Sequence, residues 1–115
     1  MEDNLILEKS KQFAVRIVRL YQHLIENSKE FVLSKQVLRS GTSVGANIRE
    51  AVQGQSKKDF IAKMQIALKE ASETEYWLEL LHETDYINNK EYESIADDCS
   101  RINKILIAIL KTSKQ

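Results

Sequence analysis

No proline interrupts this 115-residue chain, and two of its three glycines, Gly41 and Gly45, fall inside an apolar helical period rather than at a turn. Without proline there is no obligatory helix breaker, so apolar periods can run on uninterrupted. Local preference and pattern conflict only in the stretch Val37-Leu-Arg-Ser-Gly-Thr-Ser-Val-Gly-Ala-Asn-Ile-Arg-Glu-Ala51. Each interior glycine there costs roughly 1 kcal/mol relative to alanine. On a helical wheel Val37, Leu38, Gly41, Val44, Gly45, Ile48 and Val52 share one face. The missing side chains therefore lie in the middle of the buried stripe, where they open a groove for close approach of another helix.

The remaining apolar periods are helical too. Ile6, Phe13, Ile17, Leu20 and Leu24 recur at three and four, beside a second row of Ala14, Val18, Tyr21 and Ile25, which predicts a helix over about 3–26. After Asn27-Ser28, a second helix is expected over about 32–53, with Gly54 placed as a left-handed C-cap. Ser56 followed three residues later by Asp59 resembles a capping box and opens a third helix over about 57–84, with Phe60, Met64, Ala67, Ala71, Thr74, Leu78 and Leu81 as its seam. Asn88 with Glu91 opens a fourth over about 89–112, with Ile95, Cys99, Ile102, Leu106 and Ile109 inward. Short connections make successive helices antiparallel. The expected fold is all-α: one up-down four-helix bundle over 1–115, frayed across 111–115.

Charge excludes little by itself, because 17 basic and 17 acidic residues cancel and leave no global field for a polyanion. A lone Cys99 excludes an internal disulfide framework, and the absence of a charged-then-apolar leader points to a reducing cytoplasm. The longest apolar run, Ile105 to Leu110, is far short of the roughly 20 residues that span a bilayer, so no membrane role is expected.

Several residue sets invite a chemical reading. The run from Gly41 to Asn47 lacks the Gly-Lys-Ser/Thr ending, the Gly-x-Gly-x-x-Gly spacing and the preceding strand of a phosphate loop. Ser40, Ser43, Asn47 and Glu50 line one flank of the apolar stripe and read as a hydrogen-bonded packing flank; with Arg39, Gly41 and Gly45 they form a helix-packing motif. Glu79-x-x-His82 has the spacing of a di-iron bundle ligand pair, but the second such pair is missing, since Leu20 stands three residues before His23. Cys99 reads as a small apolar seam residue. No catalytic, cofactor or metal site is expected. Arg39, Arg49, Lys57, Lys58 and Lys63 are candidates for nucleic-acid contact if the ends of their helices meet. One inward stripe per helix leaves surplus apolar side chains, and Tyr76, Trp77 and Ile107 are the candidates for an oligomer interface.

The packing motif also carries a resemblance. Arg39-Ser40, Thr42-Ser43-Val44, Ala46-Asn47-Ile48 and Glu50-Ala51 resemble the signature helix of the 23S rRNA-intervening sequence proteins. Lys58-Asp59-Phe60-Ile61, Ile66-Ala67-Leu68 and Ala71-Ser72-Glu73-Thr74-Glu75 continue it, so that it covers about residues 10–112. Arg49 stands where many relatives carry a small residue. The resemblance implies a bacterial four-helix bundle; it does not imply a catalytic activity. Through relatives that serve as accessory variability proteins of diversity-generating retroelements, it also implies a ring-shaped homopentamer that binds nucleic acid and protein. The expected role is a structural, scaffold-like interaction module. The alternative is an RNA- or DNA-binding accessory factor linked to rRNA intervening sequences or retroelement reverse transcription.

Overall fold

Uninterrupted apolar periods become four long helices in the computed structural model, which describes residues 2–113: α1 (Glu2–Glu26), α2 (Leu33–Gln53), α3 (Lys57–Glu83) and α4 (Asn89–Ser113). Among the described residues there is no strand. The connections 27–32, 54–56 and 84–88 are short enough to make sequence neighbours antiparallel. Helices α1 and α3 each pack on α2 and α4, while the diagonal pairs do not meet. The fold is the expected all-α, antiparallel four-helix bundle. At 1.5 Å per residue α3 alone is about 40 Å long, so the helices run most of the 45 Å long axis. The fraying expected over 111–115 falls partly on Lys114 and Gln115, outside the described residues. Helix α4 itself holds through Ser113, whose hydroxyl donates to the Ile109 carbonyl at 2.7 Å.

The helix ends show how local chemistry sets the boundaries. The Ser56 hydroxyl accepts from the Asp59 N–H at 3.0 Å, and Asn88 and Glu91 cap reciprocally at 2.8 and 3.1 Å. Gly54, expected in the left-handed region, is instead extended (φ −65°, ψ 157°). A Cβ at Gly54 would lie 3.1 Å from the Ala51 carbonyl oxygen, so glycine serves close backbone approach there and not a positive φ. Among the described residues the left-handed conformation is taken by two that are not glycine, Lys29 (φ 54°) after α1 and Asp85 (φ 68°) after α3. The Tyr86 and Asp85 N–H groups donate back to Leu81 and His82, a Schellman closure of α3. Helix α2 begins after Val32 with no cap from that residue; the Glu30 carboxylate accepts from Ser34 N–H at 2.7 Å instead.

One core cluster joins all four helices, with Phe13, Ile17, Ile48, Met64, Leu78 and Leu106 among its large, fully buried members. Gly41 is buried against α1, and a Cβ built on it would sit 2.8 Å from both Cγ1 and Cγ2 of Ile17. Ile17 is β-branched, fully buried and stiff at χ1, so it cannot swing aside. One turn on, a Cβ at Gly45 would meet the Ser10 carbonyl oxygen at 3.4 Å, an ordinary contact. The two glycines should therefore respond with opposite signs. Gly41→Ala is expected to lower stability, since overpacking costs about 1–3 kcal/mol against the roughly 1 kcal/mol gained in helix propensity, and Gly41→Leu to lower it further. Gly45→Ala is expected to raise stability by up to about 1 kcal/mol. Urea unfolding of the three variants checks this, and a stabilised Gly41→Ala would refute the close approach of α1 to α2.

Candidate interaction surfaces

Polar residues of the packing motif tie α2 to α3. Ser40 is fully buried; its hydroxyl shares a 2.9 Å hydrogen bond with that of Thr74, which donates to the Glu70 carbonyl at 2.8 Å. Arg39 pairs with Glu70 at 3.2 Å and with Glu73, and Glu73 also accepts from the Trp77 indole N–H at 2.9 Å. Glu50 pairs with Lys63 at 3.3 Å. Ser43 and Asn47 bond back to their own helix, to the carbonyls of Arg39 and Ser43 at 2.7 and 2.8 Å. The flank is thus divided: Ser40, Arg39 and Glu50 reach α3, whereas Ser43 and Asn47 do not. Exposed ion pairs of this kind contribute about 0–1 kcal/mol each, so the buried Ser40–Thr74 pair is the stronger determinant of register.

The α3–α4 seam carries the groups with chemical potential, and each is already engaged. Cys99 is fully buried, its thiol donates to the Ala71 carbonyl at 3.4 Å, and burial first, then the charges of Glu75 and Asp98, push its pKa up to about 12. A thiol held protonated is not a nucleophile. His82 stacks on Tyr92 with ring centroids 4.2 Å apart and donates from Nε2 to Asn89 Oδ1 at 2.5 Å. Burial, followed by the charges of Glu79, Glu75 and Glu83, raises the Tyr92 phenol above its ordinary value. Among the described residues no group of three His, Cys, Asp or Glu side chains is placed to hold a metal ion. None of their helices is long and apolar enough to cross a membrane.

The five cations considered for nucleic acid do not form one patch. Arg39 bonds to Glu70 and Glu73 halfway along α3, about 20 Å along the axis from Lys57 and Lys58 at its start. Lys63 is paired with Glu50. Arg49 instead lines a groove of about 470 Å³ between α1 and α2, where Lys11 joins it and the small Gly45 and Ala46 leave the space. Lys11 escapes sequence reasoning; the small pair Gly45-Ala46 is the signal that could have found it. Of the interface candidates, Tyr76 (55% exposed) and Ile107 (52%) face solvent. Trp77 is half-buried against the core and edge-on to Tyr76 at 5.3 Å. Exposed apolar residues also include Leu5, Val15 and Val18 on α1 and Ile66 on α3.

These features define a four-helix-bundle domain whose polar side chains tie helix to helix and whose surplus apolar side chains face outward. The chain belongs to the 23S rRNA-intervening sequence protein family, whose model matches residues 2–108. It is similar to the crystal structure of a protein of unknown function from the S23 ribosomal protein family of Bacteroides thetaiotaomicron VPI-5482. The two share 64% identity over 96% of this chain and 99% of that one, with a TM-score of 0.95. No match was found among curated proteins.

Glu75 gives this seam a testable pH dependence. Burial raises its carboxyl, the hydrogen bond from Asn103 lowers it, and the Glu79 charge adds to the rise. The Oδ1 of the buried Asn103 has no hydrogen-bond partner among the described residues. The native chain therefore binds the proton more tightly than the unfolded one, whose carboxyl keeps the ordinary value of 4.5, so stability falls as pH rises from there through the raised native value. Glu75→Gln removes the charge, keeps an acceptor for Asn103 and supplies an N–H for its Oδ1. It is expected to raise Tm at neutral pH and to lose that advantage below about pH 4, as followed by circular dichroism melting. A lowered Tm at pH 7 would show that the charged carboxylate is favourable where it sits.

Proposed function

We propose that this chain is a non-enzymatic interaction module of the bacterial cytoplasm that assembles with copies of itself into a ring, with a homopentamer as the form. The observation that carries this reading is the apolar surface the single core leaves out: Leu5, Val15 and Val18 on α1, Ile66 and Tyr76 on α3, and Ile107 on α4. Scattered apolar side chains are normal on a monomer, but these lie on several outward faces at once, as a subunit with neighbours on two sides requires. The number five rests on the resemblance to retroelement accessory proteins. The engagement of Cys99 and His82 within the fold supports the non-enzymatic part. Gel filtration with light scattering at micromolar concentration tests it. The wild type is expected as a pentamer, and Ile107→Glu, at an exposed position, is expected as smaller, still helical species. A monodisperse wild-type monomer would remove the scaffold reading.

The second reading, a nucleic-acid-binding accessory factor, has its own supporting observation. Lys11 and Arg49 line one groove and have no carboxylate partner among the described residues. Lys57 and Lys58 follow at the same end of the bundle, and a ring would repeat the set around its axis. Binding of RNA or duplex DNA at two salt concentrations tests it, because phosphate contacts make affinity fall with salt. Changing Lys11, Arg49 and Lys58 to Glu is expected to abolish the salt-sensitive component while leaving helicity intact. No wild-type binding at low salt removes this reading and leaves the first standing.

A further inference from the structure

Toward the end where α1 meets α2, a groove of about 550 Å³ separates α1 from α4. Its floor is Leu20, Ile87 and Ile95, and its rim carries Arg16, Arg19 and Lys90. Arg16 is held by Asp98 at 2.5 Å and by Ser94. The one acidic residue lining the groove, Glu91, accepts from the Asn88 N–H in the cap of α4. Arg19 and Lys90 have no carboxylate partner among the described residues. The groove thus combines an apolar floor with two cations that form no ion pair, beside the single carboxylate of Glu91.

Its complement lies on the same chain. Tyr76, Glu79 and Glu83, spaced i, i+3 and i+7 along α3, form one ridge on its exposed side. Tyr76 projects into solvent, and neither Glu79 nor Glu83 has a cationic partner among the described residues. Glu75, Glu79 and Glu83 repeat at i and i+4, a spacing at which like charges destabilise a helix. An acidic row kept at that disadvantage, with an aromatic ring beside it, has the composition of a surface that meets cations around an apolar hollow.

We propose that the α1/α4 groove of one copy receives the Tyr76–Glu79–Glu83 ridge of a second copy, the ring of Tyr76 on Leu20, Ile87 and Ile95 and the carboxylates on Arg19 and Lys90. This rests on the homo-oligomer reading and names the faces that meet. Groove and ridge are separate surfaces, because no residue of α3 lines the groove, so the contact is heterologous. They also lie at the same height: residues 16–23, 76–83 and 87–95 all belong to the end that bears the 27–32 and 84–88 connections. Equal height means no axial step between neighbours, which favours a closed ring over a filament. Leu5, three turns before Arg16 on the same side of α1, and Ile107, one turn beyond Asn103 on α4, extend the two surfaces toward the opposite end.

Charge exchange in the full chain tests the pairing. Arg19→Glu with Lys90→Glu, and separately Glu79→Lys with Glu83→Lys, change only exposed positions. Each pair is expected to reduce a wild-type oligomer to smaller helical species, with association weakened at least about tenfold. The chain carrying all four changes is expected to recover the wild-type size, because both faces have exchanged sign. Tyr76→Ala, without any change of charge, is expected to weaken assembly in the same assay. An oligomer unmoved by either pair, or a fourfold variant that stays dissociated, would overturn this pairing and leave the homo-oligomer reading intact. A monomeric wild type would overturn both. If an acidic tyrosine-containing peptide binds the groove while every variant keeps its size, the groove belongs to a foreign acidic chain and the pairing is likewise overturned.

Discussion

Ile17 packs against the bare backbone of Gly41, and this contact fixes how near α1 lies to α2. The rest of the bundle follows from that distance. With α1 so close, the Ser10 carbonyl sits within van der Waals reach of the Gly45 position. Ser40, one residue before Gly41, turns the other way and meets Thr74 of α3 in the buried interior. Helix α2 is therefore gripped on one side by shape and on the other by a buried hydroxyl pair, a combination that fixes both rotation and register. Since α1 leans toward α2, its seam with α4 is the sparsest of the four, bridged on its exposed side by Arg16 reaching Ser94 and Asp98.

What is legible in the sequence is what depends on near neighbours in the chain. The inward seams of α3 and α4 are readable because helical spacing repeats them, and the Ser56–Asp59 and Asn88–Glu91 caps because each closes within three residues. The conformation of Gly54 is not, since glycine permits both the left-handed and the extended turn and the choice falls to the reversal into Ser56. Nor is the use of Asp85 where glycine is the usual residue. The fate of Arg39 is hidden for a different reason: its partners Glu70 and Glu73 are some thirty residues away, and only the packed α2–α3 seam brings them within reach. Trp77 reads as surplus to the seam; its bond to Glu73 is one turn back on α3, and what only the packed seam supplies is Arg39 on that same carboxylate.

Charge shows the same contrast between sum and arrangement. The chain is neutral, yet Lys11, Arg49, Lys57 and Lys58 gather toward the end that carries Gly54, while Glu75, Glu79, Glu83, Glu91 and Glu93 gather on the far halves of α3 and α4. Screening in physiological salt acts over about 8 Å, against a long axis of 45 Å. The two ends are electrostatically independent, so neutrality of the whole says nothing about the field a partner meets at either one.

The thin α1–α4 seam has a kinetic meaning as well. Three of the four helix pairs are sequence neighbours, so they form at small loop-closure cost, and such local pairings are the ones that form early. The α1–α4 pair joins the two extremities of the fold, carries the largest closure entropy and has the sparsest packing to offset it. The first and last helices are therefore the elements most prone to open by partial unfolding, while α2 and α3, tied by Ser40–Thr74 and Arg39–Glu73, persist as a hairpin. Anything lodged between α1 and α4 would bind only the closed state and so act as the clasp of the whole bundle, coupling the persistence of each subunit to the company it keeps.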